Sequence, residues 1–332
     1  MVNYDELKKK INEVVDPHYR RCLGDVSGIK KLVIGPSGVV ELEIQIKDRL
    51  VNEPKVKPLL VKLIKQELGF PGLKISFLES DFIPDGKKDY IYIAVSSGKG
   101  GVGKSNVTAN LAKALLRQGV RAGIIDADIY GASIPQILRI PKGKVQADEN
   151  ESMIPLKGEN IEAMSVYFFM GDKPLLWRGP MLGKMLEHFF HGVKWEDRTE
   201  IILIDLPPGT GDVTIDIQKM HPQTKVLVVT TPHVNASSVA VKAGAGQSSM
   251  GHEIIGVIEN MSYYINPINN QKDFIFGEGG GQLVADKLET ELLVQIPIAK
   301  SNEEQFTFEN DDKIGEIYNQ LALDVLKKIG LR

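Results

Sequence analysis

Gly98-Lys-Gly-Gly-Val-Gly-Lys-Ser105 is the stretch that decides the fold of this chain. It fits the pattern G-x-x-x-x-G-K-[ST], the phosphate-binding P-loop, whose glycines let backbone N–H groups turn onto phosphate oxygens. The apolar segment 89–95 before it predicts a strand, and residues 106–118 after it predict a helix whose N-terminus adds a partial positive charge. We expect Lys104 to bridge the β- and γ-phosphates and the Ser105 hydroxyl to bind Mg²⁺.

The same octet also satisfies G-x-G-x-x-G, the fingerprint of dinucleotide-binding folds. Lys104 and Ser105 stand directly after the last glycine, and this pair is foreign to the dinucleotide fingerprint. The sequence therefore predicts a nucleoside triphosphate site. Its candidate binding residues are Gly98, Lys99, Gly100, Gly101, Val102, Gly103, Lys104 and Ser105.

The composition argues against several classes of protein. The 332 residues carry a net charge of −3, which shows no overall bias toward nucleic acid or membranes. Cys22 is the single cysteine, so the chain cannot form an internal disulfide or a cysteine-rich metal site, and it fits a reducing compartment. The first residues lack the apolar core of a signal peptide, and no apolar run approaches the length of a membrane span. We therefore expect a cytoplasmic protein without a membrane partner.

Apolar periodicity divides the chain into two regions. Residues 1–80 alternate as α-β-β-α-β, with the second helix expected at 56–68, and predict a small α+β domain. Residues 81–88 predict a linker. From 89 to 332, short β-branched strands alternate with helices, which is typical of a parallel sheet covered on both faces. We predict an α/β fold for this region, a doubly wound and mainly parallel sheet of the P-loop NTPase type.

Aspartates at strand ends are candidates for the chemistry. One predicted strand ends in Asp126 and Asp128, whose i and i+2 spacing directs both carboxylates to the same side. Another ends at Asp205, the Walker-B pattern, in which the aspartate holds Mg²⁺ through water. The loop after it predicts a switch segment whose Gly209 N–H contacts the γ-phosphate. The candidate metal ligands are Ser105, Asp126 and Asp205.

Five motifs in combination resemble the Mrp/ApbC family of iron–sulfur carrier ATPases, which are deviant-Walker P-loop proteins that include MinD and ParA among their relatives. The motifs are the octet 98–105 and residues 125–131, 177–181, 205–212 and 259–262. The resemblance covers residues 90 to 330. Residues 1–80 more weakly resemble the iron–sulfur assembly-associated domain that often precedes such proteins.

This resemblance implies an ATPase that works as a homodimer. It implies that Lys99 reaches across the dimer interface to the partner's phosphates, where a cation stabilises charge on the transferring phosphoryl group. It also implies that Asp128 positions the attacking water, that Asp126 lies near the metal, and that Asn260 recognises adenine. The candidate catalytic residues are Lys99, Lys104 and Asp128.

The chain departs from the family where relatives hold a [4Fe–4S] cluster. Relatives place C-P-x-C after the Asn-Met-Ser motif, one pair from each subunit, whereas this chain has Asn266 and Asn269 at the two ligand positions. Iron in a sulfide cluster takes thiolates, and neutral carboxamides are poor ligands for it. Cys22 is far away in sequence. We therefore expect no [4Fe–4S] cluster at the dimer interface, although the family resemblance implies one.

Three functions stay open at this point. The first is an ATPase that helps deliver clusters to client apoproteins. The second is a nucleotide-switched transcriptional regulator, because SalA-type regulators of low-GC Gram-positive bacteria resemble Mrp proteins without the cysteine pair, and DNA would then be a partner. The third is a ParA/MinD-like positioning protein, which would need an amphipathic membrane helix at the C-terminus. Residues 314–331 have few basic residues opposite their apolar face, so we expect a docked terminal helix instead.

Overall fold

The structure is a computed structural model in which the chain divides into two compact units, Met1–Asp89 and Tyr90–Arg332. It describes residues 4–18, 21–24, 28–79, 90–129, 131–149, 152–170, 179–299, 307–310 and 313–332. The linker predicted at 81–88 lies outside the described residues. Each unit has a hydrophobic core of its own.

The first unit is small and combines helices with a short sheet. It consists of α1 (Tyr4–Asn12), β1 (Val15–Asp16), β2 (Arg21–Cys22), β3 (Ile29–Ile34), β4 (Val39–Ile46), α2 (Arg49–Val61), a π-helical turn (Lys62–Glu67) and β5 (Gly72–Glu79). Its three-stranded sheet has the order β3-β4-β5, with β4 antiparallel to β3 and parallel to β5. Alternate residues of β4, from Val40 to Ile46, are buried in the core of the unit.

Helix α2 begins at Arg49, so the start predicted at residue 56 is wrong. Pro54 lies inside the helix, although a proline lacks the N–H that a helix interior needs. The carboxylate of Glu79, at the end of β5, accepts the N–H groups of Asp48 at 2.7 Å and Arg49 at 2.9 Å. Because a distant strand supplies this acceptor for the orphan N–H groups, the helix forms upstream of the proline.

The second unit alternates strands with helices along the chain. Its first half consists of β6 (Ile91–Ser97), α3 (Lys104–Arg117), β7 (Arg121–Asp126), α4 (Ile134–Ile137), β8 (Gln146–Ala147), β9 (Met153–Ile154), β10 (Leu156–Gly158), β11 (Ile161–Ser165), α5 (Tyr167–Met170) and α6 (Gly179–His191). Its second half consists of β12 (Thr199–Asp205), α7 (Asp212–Met220), β13 (Lys225–Thr230), α8 (Val234–Ser249), β14 (Glu253–Glu259), β15 (Tyr264–Ile265), β16 (Lys272–Asp273), α9 (Gly280–Lys287), β17 (Leu292–Gln295) and α10 (Lys313–Lys328).

An eight-stranded sheet in the order β10-β11-β7-β12-β6-β13-β14-β17 forms the centre of this unit. The edge strand β10 is antiparallel to β11, and the other strands of the sheet pair in parallel. On β12, Ile201 and Leu203 join the core that contains α3 and α10, whereas Ile202 and Ile204 join the core that contains α6 and α7. Both faces of the sheet are therefore covered, which confirms the predicted doubly wound α/β fold.

The C-terminal helix α10 packs on the P-loop helix α3. Its residues Ile314, Leu321 and Val325 are buried in the same core as α3. The Arg117 guanidinium of α3 donates to the Asn319 side chain of α10 at 2.7 Å. The docked terminal helix expected from the sequence is confirmed. In the parts of the chain that the structure describes, no helix has the length and apolar character needed to cross a membrane.

Candidate nucleotide site

The predicted P-loop connects the end of β6 to the start of α3 and borders a cavity of about 500 Å³. Residues 99–105 line this cavity together with Asp128 and Pro208. Gly98 is the member of the octet that does not line it, because its Cα packs against the backbone of α8 at Val239. The cavity lies at the carboxyl ends of parallel strands, where α/β folds bind their ligands.

The carboxylate of Asp205 is the centre of the polar contacts beside the P-loop. Its Oδ1 accepts hydrogen bonds from Lys104 Nζ at 2.8 Å and from Thr108 Oγ1 at 3.0 Å. Its Oδ2 accepts one from Ser105 Oγ at 2.6 Å. Asp205, Lys104 and Thr108 are buried, so these charge-assisted bonds are shielded from water. The structure thus brings together the predicted phosphate lysine, the predicted Mg²⁺ serine and the predicted Walker-B aspartate.

Asp126 is fully buried at the end of β7, beside Asp205 at the end of the neighbouring strand. Its Oδ2 accepts a hydrogen bond from Ser165 Oγ at 3.1 Å, while its Oδ1 is buried without a hydrogen-bond partner among the described residues. Burial, reinforced by the negative charge of Asp205, raises the pKa of the Asp126 carboxyl well above its ordinary value. A cation bound beside it would stabilise the charged form of this carboxyl.

The oxygen donors at this position fit Mg²⁺. Hard cations take carboxylate and hydroxyl oxygens, and Mg²⁺ in nucleotide sites uses few protein ligands beside phosphates and water. Ser105, Asp205 and the unpartnered Oδ1 of Asp126 offer such oxygens. Within the described ranges, no group of three or more His, Cys, Asp or Glu residues is arranged to hold a metal by itself. Phosphate oxygens and water would complete the shell of a metal held here.

Asp128 lies at the edge of the cavity, half-buried, with its Oδ2 3.8 Å from Lys104 Nζ. Its Oδ1 accepts the N–H of Gly131 at 3.2 Å. Burial raises the pKa of the Asp128 carboxyl, the Asp205 charge raises it further, and the Lys104 ammonium acts in the opposite direction. A carboxylate with a raised pKa beside a phosphate cavity is suited to accept a hydrogen bond from water.

Lys99 is exposed and lines the cavity from the P-loop side. Its ammonium forms no ion pair with any residue that the structure describes. The predicted switch glycine, Gly209, has φ of 89° and donates its N–H to the carbonyl of Ser97 at 2.7 Å. The switch loop is thereby tied to the strand that leads into the P-loop. The expected contact of Gly209 with a γ-phosphate stays a prediction.

Asn260 follows β14 and contacts the P-loop directly. Its Nδ2 donates to the carbonyl of Val102 at 2.9 Å, and the side chain is buried. A Cβ placed on Gly103 would lie 2.2 Å from this Nδ2, so the asparagine packs tightly against the loop. Because the adenine N6 amino group is a donor, its recognition by Asn260 would fall to Oδ1. The adenine contact stays a prediction.

Asn266 and Asn269, the residues that the sequence analysis places at the expected cluster-ligand positions, lie in a hairpin. The short strands β15 and β16 pair antiparallel, and residues 266–271 connect them. Asn266 Oδ1 accepts the N–H of Ile268 at 3.0 Å, and Asn269 Oδ1 accepts the N–H of Gln271 at 3.0 Å. Both side chains thus form Asx turns, in which an asparagine stabilises its own loop. Cys22 lies in the first unit, and its thiol donates to the carbonyl of Glu13 at 3.7 Å. These residues do not fit a [4Fe–4S] cluster.

The sequence analysis missed two residues of this site, Thr108 and Ser165. In addition, part of the sequence motif 177–181 lies outside the described residues. Thr108 and Ser165 are ordinary residues of a helix and a strand in the sequence, and no pattern marks them as partners of Asp205 and Asp126. The i+4 spacing of Thr108 from Lys104 places both on one face of α3, which is the signal that could have found it. Trp177 and Arg178 of the motif at 177–181 lie outside the described residues.

Comparisons with known proteins identify the family of this chain. The family described as NUBPL iron-transfer P-loop NTPase (ParA) matches residues 90–326. The iron–sulfur cluster carrier protein of Bacillus subtilis is 36% identical, with both chains covered over 100% of their length. A nucleotide-binding protein from Archaeoglobus fulgidus, solved in complex with ADP, is 33% identical with a TM-score of 0.55, covering 70% of this chain and 86% of that one.

The cell-division ATPase MinD of Pyrococcus furiosus shares the fold. It has a TM-score of 0.53 at 21% identity, covering 72% of this chain and 99% of that one. The match of the family to most of the chain, and the similarity to the carrier protein along its full length, establish the relationship that the motifs indicated. The chain belongs to the NUBPL iron-transfer P-loop NTPases of the ParA type.

Proposed function

We propose that this protein binds and hydrolyses Mg–ATP as a homodimer. The observation that carries the proposal is the convergence of Lys104, Ser105 and Asp205 within 2.6–2.8 Å beside the P-loop cavity. These three side chains supply a phosphate cation, a hydroxyl ligand and a carboxylate, which is the set that P-loop NTPases use. The Archaeoglobus relative, solved in complex with ADP, supports nucleotide binding by this chain.

The chain's own residues divide the work of hydrolysis. The P-loop N–H groups and Lys104 hold the phosphates, and Asp128 accepts a hydrogen bond from the attacking water and orients it. Lys99, exposed at the cavity and without an ion-pair partner among the described residues, contributes its charge to the partner subunit's phosphates. Mg²⁺, held by Ser105 and, through water, by Asp205, would neutralise charge on the phosphate oxygens.

Binding and hydrolysis of ATP by the dimer would help to deliver iron–sulfur clusters to client apoproteins. Relatives that match this chain along its length are named iron–sulfur cluster carrier proteins, which supports client apoproteins as partners of the dimer. We propose that this chain holds no cluster at residues 266–269, because their carboxamides stabilise the hairpin and offer no thiolate. Residues 1–80, which lie within the first unit, would be the assembly-associated domain of such a protein.

A second candidate is a nucleotide-switched transcriptional regulator with DNA as its partner. The observation that favours it is the same hairpin, since both asparagine side chains accept hydrogen bonds from their own loop. Anaerobic reconstitution with iron and sulfide separates the two candidates. A stable, stoichiometric cluster with cluster absorbance supports direct carriage, whereas its absence together with nucleotide-dependent DNA binding supports the regulator.

The proposed activity is tested by separating binding from turnover. Lys104→Ala removes the cation at the phosphates and is expected to abolish nucleotide binding in equilibrium titrations. Lys99→Ala is expected to bind ATP like the parent protein and to lose hydrolysis, because its charge acts on the transition state from the other subunit. Hydrolysis at the parental rate by Lys99→Ala would show that the trans-lysine mechanism does not operate here.

A further inference from the structure

Thr108 is a buried threonine that faces the site from the second turn of α3. Its hydroxyl lies 3.0 Å from the carbonyl oxygen of Lys104 and 3.0 Å from Oδ1 of Asp205. A threonine in a helix ordinarily donates to the carbonyl four residues earlier, which would be a purely local bond. The hydroxyl has one proton, however, and a carboxylate is a stronger acceptor than a peptide carbonyl.

The three donors on the Asp205 carboxylate differ in what else they do. In the function proposed above, Lys104 turns to the phosphates and Ser105 to Mg²⁺, so both weaken their bonds to Asp205 when the nucleotide arrives. Thr108 has no second ligand to bind, because it is buried one turn away from the phosphate cavity and does not line it. Of the three donors, Thr108 is therefore the one that keeps its hydrogen bond to Asp205 both with and without bound nucleotide.

The rest of Asp205 is already fixed. Its carbonyl accepts the N–H of Ala127 at 2.9 Å, and the N–H of the next residue, Leu206, donates to the carbonyl of Val95 at 3.1 Å. The remaining freedom of the residue is the rotation of its carboxylate, which lies at the strand end next to that of Asp126. A donor on Oδ1 opposes this rotation and leaves Oδ2 directed at Ser105.

We propose that Thr108 is a positioning residue that holds the Asp205 carboxylate in the orientation required for Mg²⁺. The inference rests on the proposed function, since it concerns the metal that accompanies ATP there. Its consequence is specific: the Thr108 hydroxyl contributes to the Mg²⁺-dependent part of nucleotide affinity and little to the part that the P-loop supplies without metal.

The test compares nucleotide affinity with Mg²⁺ and with EDTA by calorimetry. Thr108→Val keeps the shape of the side chain and removes the hydroxyl, and Thr108→Ser keeps the hydroxyl. We expect Thr108→Val to bind ATP about tenfold more weakly than the parent in Mg²⁺, the usual effect of losing a hydrogen bond to a charged group. In EDTA it should bind like the parent, and Thr108→Ser should match the parent in both buffers.

A matched control makes the same exchange elsewhere. Thr214 is also a buried helical threonine, and its hydroxyl has no hydrogen-bond partner in the described part of the chain, so Thr214→Val should leave both affinities unchanged. Equal losses for Thr108→Val in Mg²⁺ and EDTA, or no loss in Mg²⁺, would overturn the proposal. If the valine variant does not fold, Thr108→Ala against Thr108→Ser gives the same comparison. A parent protein whose ATP affinity is unaffected by Mg²⁺ would instead contradict the proposed function itself.

Discussion

The glycines of the P-loop are not equivalent, and adding one methyl group at each makes the difference measurable. A Cβ on Gly98 would lie 2.3 Å from the Val239 carbonyl carbon and 2.5 Å from the Ala240 nitrogen, both backbone atoms of α8 that can move only with the helix. A Cβ on Gly100 would have nothing within 4 Å. The same substitution two residues apart therefore provides a matched pair.

The structure assigns a magnitude to each change. Gly98→Ala forces α8 away from the loop and should destabilise the protein by about 3 kcal/mol, the upper part of the range for overpacking. Gly100→Ala should be neutral or stabilise by about 0.5 kcal/mol, because alanine restricts the unfolded chain. Gly101 has φ of 84° with open space around it, so alanine there should cost about 1–2 kcal/mol for backbone strain alone.

Urea unfolding without nucleotide measures these values. Trp195 is buried in the unit Tyr90–Arg332, so its fluorescence reports the unfolding of that unit. We expect the unfolding midpoint to fall in the order Gly100→Ala, Gly101→Ala, Gly98→Ala with an unchanged slope. If Gly98→Ala and Gly100→Ala unfolded at the same urea concentration, the packing of the P-loop against α8 described above would be refuted.

Three further predictions concern the carboxylates and the hairpin. Asp128→Ala should bind ATP and trap the dimer without turnover, while Asp205→Ala should lose the Mg²⁺-dependent part of nucleotide binding. If both variants changed nucleotide affinity equally, the separate roles assigned to the two aspartates would be wrong. Burial raises the pKa of Asp126, so the folded state binds the proton more tightly than the unfolded state does. The free energy of unfolding therefore falls as the pH rises above 3.8, the ordinary pKa, until the pH passes the raised pKa of the folded state. Asp126→Asn should abolish this fall in pH-dependent urea unfolding and be more stable near pH 7, whereas an unchanged pH profile would contradict the shift. Asn266→Cys combined with Asn269→Cys should create cluster absorbance after anaerobic reconstitution if the hairpin keeps the family's geometry, with the parent protein as the control that stays colourless.

The sequence predicted those parts of the site that depend on local pattern. The octet 98–105 specifies its own turn and the helix after it. The apolar strand before Asp205 places that carboxylate at the carboxyl end of the strand. Because parallel strands end at one edge of a sheet, the amino-acid pattern alone indicates that residues 100 positions apart, such as Ser105 and Asp205, lie close together. The doubly wound sheet followed from the same apolar runs.

The parts that were missed depend on contacts between distant segments. The start of α2 is fixed by the carboxylate of Glu79, which no local signal connects with Arg49. The bond from Asn260 to the Val102 carbonyl joins residues that only the sheet order brings together. Thr108 and Ser165 carry no motif, so their roles beside the aspartates become visible only when the side chains are placed.

The central claim is that Lys99 completes the partner's ATP site, and mixing two inactive variants tests it most directly. Lys99→Ala retains its own Asp128, and Asp128→Ala retains a Lys99 that it can offer to a partner. In a mixed dimer, the site of the Lys99→Ala subunit then has every group it needs. In a single-turnover assay, equal amounts of the two variants should hydrolyse about one quarter as much bound ATP as the parent protein, because about half of the dimers are mixed and each has one working site. A mixture as inactive as either variant alone would contradict the claim.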